Sequence, residues 1–325
     1  MKIVVTGASG HVGGNLVREL VEEHEVTAVV HSDMRALEDV DVRTVSGDVL
    51  DRGSMEKACE GAEIVLNLAA HISITGTDGG RVDDINVRGV RNVAETCMEA
   101  GVRRLVHFSS VHAFCQEPLD QAIDETRPLA DTTPAPAYDR SKARGEREVL
   151  ACIEKGLDAV IVNPSSVLGP HDYKLSRMGD VLLRLYRRSL PALVPGGYDW
   201  VDVRDVVDGT IRAMERGRTG ERYILSGHWL SVRDLAGVVE NVTGRKKPRM
   251  VTPLVLARIG APFVETFSRV TGSRPLYTRE AIHTLMGNSH FSHAKATDEL
   301  GYEPRPIRET IEATFDWFRV AGWLD

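Results

Sequence analysis

Over residues 2 to 110, short and nearly continuous apolar runs alternate with longer segments whose apolar residues recur every three or four positions. The short runs read as strands covered on both faces and the longer segments as helices, an alternation that builds a parallel sheet wrapped by helices. Strands are expected at Lys2–Thr6, Val26–Val30, Val42–Ser46, Glu63–Leu68 and Arg103–Ser109. Helices are expected at His11–Glu22, Gly53–Cys59 and Asp83–Ala100, the last stopped by Gly101. A helix over Tyr138–Lys155 and a sixth strand over Ala159–Val162 continue the series. Right-handed crossovers then make a doubly wound α/β sheet.

Beyond Pro164 the pattern loosens into mainly helical pieces separated by prolines. The expected organisation is a dinucleotide-binding domain over residues 1–165 and a smaller substrate-binding cap over 166–325, interwoven with the first. Pro253–Thr271 is apolar enough for an amphipathic helix, but Arg258, Glu265 and Arg269 interrupt it and favour packing against the core over a membrane role. The stretch Thr132–Ala137, with two prolines, reads as an extended loop that delivers the helix behind it.

Composition narrows the partners. The chain has 325 residues, is 42% apolar and carries a net charge of −7, with Lys and Arg scattered rather than massed. That excludes the electrostatic footprint of a nucleic-acid or anionic-membrane binder and leaves a small-molecule partner. No run of about 18 uncharged apolar residues occurs, so a soluble, cytoplasmic protein is expected. Cys59, Cys97, Cys115 and Cys152 lie far apart without a CxxC pair, which fits reduced thiols. His290 and His293 lack a third ligand at recognisable spacing, and no metal site is expected.

The chemistry is carried by three short segments. Thr6–Gly13 places Gly7, Gly10 and Gly13 between a strand and a helix, with Ser9, His11 and Val12 among them. Gly7 permits a tight turn, Gly10 lets backbone N–H groups approach a diphosphate, and Gly13 lets the helix pack closely on the sheet. Further along stand Ser109-Ser110 and then Tyr138-Asp139-Arg140-Ser141-Lys142. Four residues are about one helical turn, so Tyr138 and Lys142 project from one face and the ammonium can draw the phenol below its ordinary value near 10.

Taken in order, Thr6–Gly13, Gly47-Asp48-Val49, Leu68-Ala69-Ala70, Asn86, Phe108-Ser109-Ser110, Tyr138–Lys142, Asn163–Pro170 and Trp200–Val206 resemble the extended short-chain dehydrogenases/reductases. The likeness is to the epimerase/dehydratase group and its dihydroflavonol-reductase-like branch, and it covers essentially the whole chain. It implies a Rossmann fold, a nicotinamide dinucleotide, and Ser110, Tyr138 and Lys142 as the catalytic residues. It also implies that Asp48 and Val49 contact the adenine, that Ala69 and Ala70 flank the nicotinamide-side ribose, that Pro164, Ser165 and Ser166 border the nicotinamide, and that Leu68 and Ser109 belong to the cofactor site. Phe114-Cys115 departs from the Tyr-Gly common in relatives.

The second strand is followed by His31, Ser32, Asp33, Met34 and Arg35. His31, Ser32 and Arg35 can meet the phosphate of NADP, or Asp33 the ribose hydroxyl of NAD; the strand-end position is not acidic, which puts NADP ahead of NAD. The resemblance implies reduction of a ketone or aldehyde, or oxidation of the alcohol. Nucleotide-sugar epimerisation or dehydration is the alternative, and a catalytically silent redox sensor is another. It also implies a homodimer through the helices at Asp83–Ala100 and Tyr138–Lys155. Asp202 and Asp205 read as structural carboxylates at a helix start, and His112 as a polar loop residue.

Overall fold

Seven parallel strands form the centre of the protein in the order β3-β2-β1-β4-β5-β6-β9. They are β1 (Lys2–Thr6), β2 (Glu25–Val30), β3 (Arg43–Ser46), β4 (Ile64–Asn67), β5 (Arg104–Phe108), β6 (Ala159–Pro164) and β9 (Arg222–Leu225). The computed structural model describes residues 1–132, 134–259 and 278–324. The order reverses direction between β1 and β4, which opens a crevice at the carboxyl ends of those strands where doubly wound sheets bind ligands.

Successive residues in a strand face opposite sides, and both sides are apolar. Ile3 and Val5 of β1 pack with Leu16, Val17 and Leu20 of α1 (His11–Leu20), and the same core takes Val206 and Met214 of α7 (Val203–Arg216). Val4 faces the other way, into a core with Met55 of α2 (Arg52–Cys59), Val93 of α4 (Val90–Glu99) and Val149 of α5 (Ala137–Ile153). The strands lie within a residue or two of their expected limits.

The helix expected over Asp83–Ala100 is broken. It comprises α3 (Arg81–Asp83), a π-helical turn over Asp84–Gly89, and α4. The cause is close packing: a Cβ on Gly145 of α5 would lie 2.3 Å from the carbonyl oxygen of Asn86. The widened turn carries Asn86 to α5, and such π-bulges recur at functional sites.

The remaining region is mainly helical but also holds a three-stranded sheet, β10-β8-β7, made of β7 (Ser166–Leu168), β8 (Gly197–Asp202) and β10 (His228–Ser231). Trp200, Leu183 of α6 (Arg177–Tyr186), Leu235 of α8 (Val232–Thr243), Phe315 and Phe318 form its core. Strand β9 leaves this region to pair with β6. The later part of Pro253–Thr271 lies outside the described residues, as does Thr133. Among the described residues no helix is long and apolar enough to cross a membrane.

Candidate active site

The turn between β1 and α1 is tight and has no room for side chains. Gly7 has φ +65°, the left-handed region that favours glycine, and its carbonyl accepts the Gly10 N–H at 2.9 Å. A Cβ on Gly7 would meet the Leu68 backbone at 2.7 Å, and one on Gly13 would meet the Gly7 carbonyl oxygen at 2.2 Å. The backbone thus forms a cradle at the start of α1, the geometry that receives a diphosphate. Ser9 is buried in the turn, and Leu68, Ala69 and Ala70 leave β4 directly beside it. Thr6 Oγ1 donates to Asn67 Oδ1 at 2.6 Å and accepts the Ala69 N–H at 3.3 Å, which pins the two strand ends together.

At the end of β2, His31 lies 3.6 Å from the Asp48 carboxylate, and Val49 is buried. The Arg35 guanidinium is not open: Nε and Nη2 donate to Asp33 at 3.1 and 2.8 Å. The Arg35 hydrogen bond is the main cause that holds the Asp33 carboxyl down, to about 2.

The second half of the site stands at the ends of β5 and β6. Ser110 caps a short turn, its Oγ accepting the His112 N–H at 3.2 Å, and its hydroxyl faces the phenol of Tyr138. Ser109 is buried one residue earlier, with its N–H on the Val162 carbonyl. Tyr138 and Lys142 project from the first turns of α5, and Lys142 is 3% exposed. Its ammonium donates to the Phe108 carbonyl at 2.7 Å. Pro164 ends β6, Ser165 donates its N–H to the Leu225 carbonyl, and Ser166 starts β7.

The electrostatics differ from expectation on one point. Burial, with Asp139 adding to it, raises the Tyr138 phenol well above its ordinary value, and Ser110 opposes the rise. Lys142 spends its ammonium on the Phe108 carbonyl and is itself lowered by burial to about 8, with Glu146 opposing. The protein by itself keeps the tyrosine neutral.

Behind the three residues lies a buried network, of which sequence reasoning missed Glu146 and Arg222. Asn163 Nδ2 donates to the Ser110 carbonyl at 3.1 Å and to Glu146 at 2.6 Å, and Glu146 pairs with Arg222 of β9 at 2.9 Å. Glu146 is one turn past Lys142, a spacing that could have marked it as sharing the buried face. Asn86 holds a second anchor: its Nδ2 donates to the His71 carbonyl and the Ser141 hydroxyl, and its Oδ1 accepts the His71 N–H, all at 2.8–2.9 Å. It ties the loop after β4 to the catalytic helix. Asp202 and Asp205 cap and brace α7, Asp202 accepting the Arg204 N–H at 2.8 Å and Asp205 accepting from Arg305.

A cleft of about 450 Å³ lined by Asp199, His228, His290 and neighbours contains none of Ser110, Tyr138 and Lys142.

Sequence comparison agrees with this geometry. Residues 3–226 match the NAD dependent epimerase/dehydratase family. The chain is 34% identical to "Sterol demethylase protein B" of Methylococcus capsulatus, with all of both chains covered. It is 33% identical to a Synechocystis sp. protein named provisionally as a dihydroflavonol 4-reductase, covering 98% of this chain and 95% of that one. The crystal structure of gox2253 superposes with a TM-score of 0.86 at 34% identity, covering 99% of each chain. With this family match over residues 3–226 and 34% identity to a relative over all of both chains, the chain is an enzyme of the NAD-dependent epimerase/dehydratase family, within the extended short-chain dehydrogenases/reductases.

Proposed function

We propose that this enzyme is an NADP-linked reductase of ketones or aldehydes, reversible toward the alcohol, with Tyr138 as its acid/base. The observation that carries the reading is that Ser110 faces the Tyr138 phenol just beyond β5, with Lys142 one turn along α5 and bonded to the Phe108 carbonyl of that strand. The cradle and the ends of β2, β4 and β6 would hold the dinucleotide. When bound, it supplies the hydride and, once oxidised, a positive ring charge.

Ser110 orients the substrate oxygen by hydrogen bonding. Tyr138 gives its proton to that oxygen as the carbon is reduced, or takes it back in the reverse direction. An acid whose pKa lies high is fully protonated before reduction, and Lys142 then favours the phenolate left behind. Asn163 and Glu146 hold Ser110 and the helix face in register.

Arg184 and Arg204 of the cap pair with Asp180 at 2.9 Å and Asp202 at 2.7 Å, partners that the diphosphate of a sugar nucleotide would have to displace. Arg187 donates to the Trp323 carbonyl. The name of the Synechocystis relative also points to carbonyl reduction.

The test is a panel of ketones and aldehydes with NADPH, run beside sugar nucleotides. Stoichiometric NADPH consumption with a carbonyl is expected. Inversion or dehydration of a sugar nucleotide with no net change in cofactor would replace this reading with the other activity of the family.

A further inference from the structure

From the end of β7 the chain does not run straight into α6 but straps across α1. The Pro170 carbonyl accepts from Asn15 Nδ2 at 3.1 Å and from the ring of His11 at 3.0 Å. Arg18 donates to the Tyr173 hydroxyl at 3.2 Å and lies over its ring at 5.6 Å. Asp172 turns the strap back by accepting the Ser176 N–H with both carboxylate oxygens, at 2.9 and 2.8 Å. These contacts leave Lys174 at the mouth of the crevice. Its ammonium donates to Ser9 Oγ in the glycine turn at 3.1 Å and lies 3.9 Å from the Asp33 carboxylate.

We infer that Lys174, delivered from the substrate-binding half, is a ligand for the 2′-phosphate of the dinucleotide and helps set the choice of NADP over NAD. The inference rests on the NADP reading above. In a doubly wound fold the adenosine ribose lies between the glycine turn and the end of the second strand. Ser9 comes from the turn, Asp33 and Arg35 from the strand end, and Lys174 bridges the two. Asp33 carries one negative charge and is faced by two cations, Arg35 and Lys174. A phosphate dianion at that point takes both cations: the planar Arg35 fork grips two oxygens and Lys174 adds a mobile point charge. Asp33 occupies the cations in the meantime. It is already the partner of both, so a ribose hydroxyl has to share Asp33 with those cations. Lys174 is 43% exposed, so the exchange requires no repacking.

The experiment is calorimetric titration of the whole protein with adenosine 2′,5′-bisphosphate and with AMP, for wild type, Lys174→Met and Lys174→Arg. Wild type is expected to prefer the bisphosphate. Lys174→Met is expected to lose about 10- to 100-fold of that affinity, the range of a hydrogen bond to a charged group, with AMP binding unchanged and Lys174→Arg retaining most of it. A thermal melt matching wild type excludes misfolding. If wild type discriminates and Lys174→Met discriminates equally, the inference is overturned while the NADP reading stands. An equal loss for both nucleotides overturns it too, by assigning the lysine to the shared 5′-phosphate. If wild type does not discriminate, the NADP reading itself fails and the inference with it.

Discussion

The carboxylate of Asp139 lies 3.7 Å from Nδ1 of His112, and the imidazole stands edge-on to the Tyr138 ring at a centroid separation of 6.2 Å. Asp139 is buried, and among the described residues it pairs with His112. Burial acts to lower the histidine pKa, but the charge and hydrogen bond of Asp139 outweigh it, and the net direction is up. A group raised on folding contributes stability that is complete below its unfolded value near 6.5 and is lost as pH rises through the folded value. Asp139→Asn is therefore expected to destabilise the protein by roughly 1–3 kcal/mol near pH 6 and by less near pH 8. Urea midpoints at the two pH values check this, and equal losses at both would contradict it.

Glu146 is the counter-charge that keeps Lys142 protonated, since burial alone drives the ammonium down and Glu146 opposes it. Glu146→Gln is expected to lower the lysine further and to move the alkaline limb of kcat/KM toward acid. It also strips Arg222 of its buried partner, a loss of about 3–5 kcal/mol by the usual scale of broken buried pairs. A pH–rate profile and a denaturation curve on one variant separate the two effects. An unmoved alkaline limb would show that Glu146 serves only the fold.

Gly13 and Gly10 are expected to fail in different ways. A Cβ at Gly13 collides with the Gly7 carbonyl oxygen at 2.2 Å, whereas at Gly10 the same atom is 3.2 Å away. Gly13→Ala should cost about 1–3 kcal/mol of stability, as overpacked sites do. Gly10→Ala should fold nearly as well as wild type yet bind the dinucleotide at least tenfold more weakly, because its methyl stands where the diphosphate approaches. Melting temperature and fluorescence titration with NADPH report the two separately.

Asn86 carries three hydrogen bonds at once, so Asn86→Ala leaves the His71 N–H and carbonyl without their side-chain partner and the Ser141 hydroxyl with only its bond to the Tyr138 carbonyl. A loss of about 2 kcal/mol or more is expected, since each buried unsatisfied group costs about 1–3. The catalytic helix loses its tie to the loop after β4, so kcat should fall more than KM rises. Steady-state kinetics on the purified variant supply the comparison.

Much of this site could be read along the chain because its parts are local. Gly7, Gly10 and Gly13 lie within seven residues between a strand and a helix, and Tyr138 and Lys142 are one turn apart, so secondary structure alone brings them into register. Of the six early strands all but the exposed edge strand β3 are largely apolar on both faces, which shows directly in their composition. What escaped depends on partners distant in the chain. Strand β9 starts at Arg222, whose value lies in meeting Glu146, and Lys174 meets Ser9 across 165 residues. Helical spacing shows that Glu146 shares a face with Lys142 but not what covers that face. The π-helical turn at Asp84–Gly89 arises from the close approach at Gly145, which no periodicity of the helix itself encodes.

The central claim is tested most directly by Tyr138→Phe, measured as NADPH-dependent turnover of the best carbonyl substrate together with NADPH affinity. Removal of the phenolic proton is expected to cut kcat by about 10²- to 10⁴-fold, the range of general acid catalysis, while the cofactor still binds within about twofold of wild type. Near-normal turnover with normal cofactor binding would show that the proton comes from elsewhere and would contradict the account.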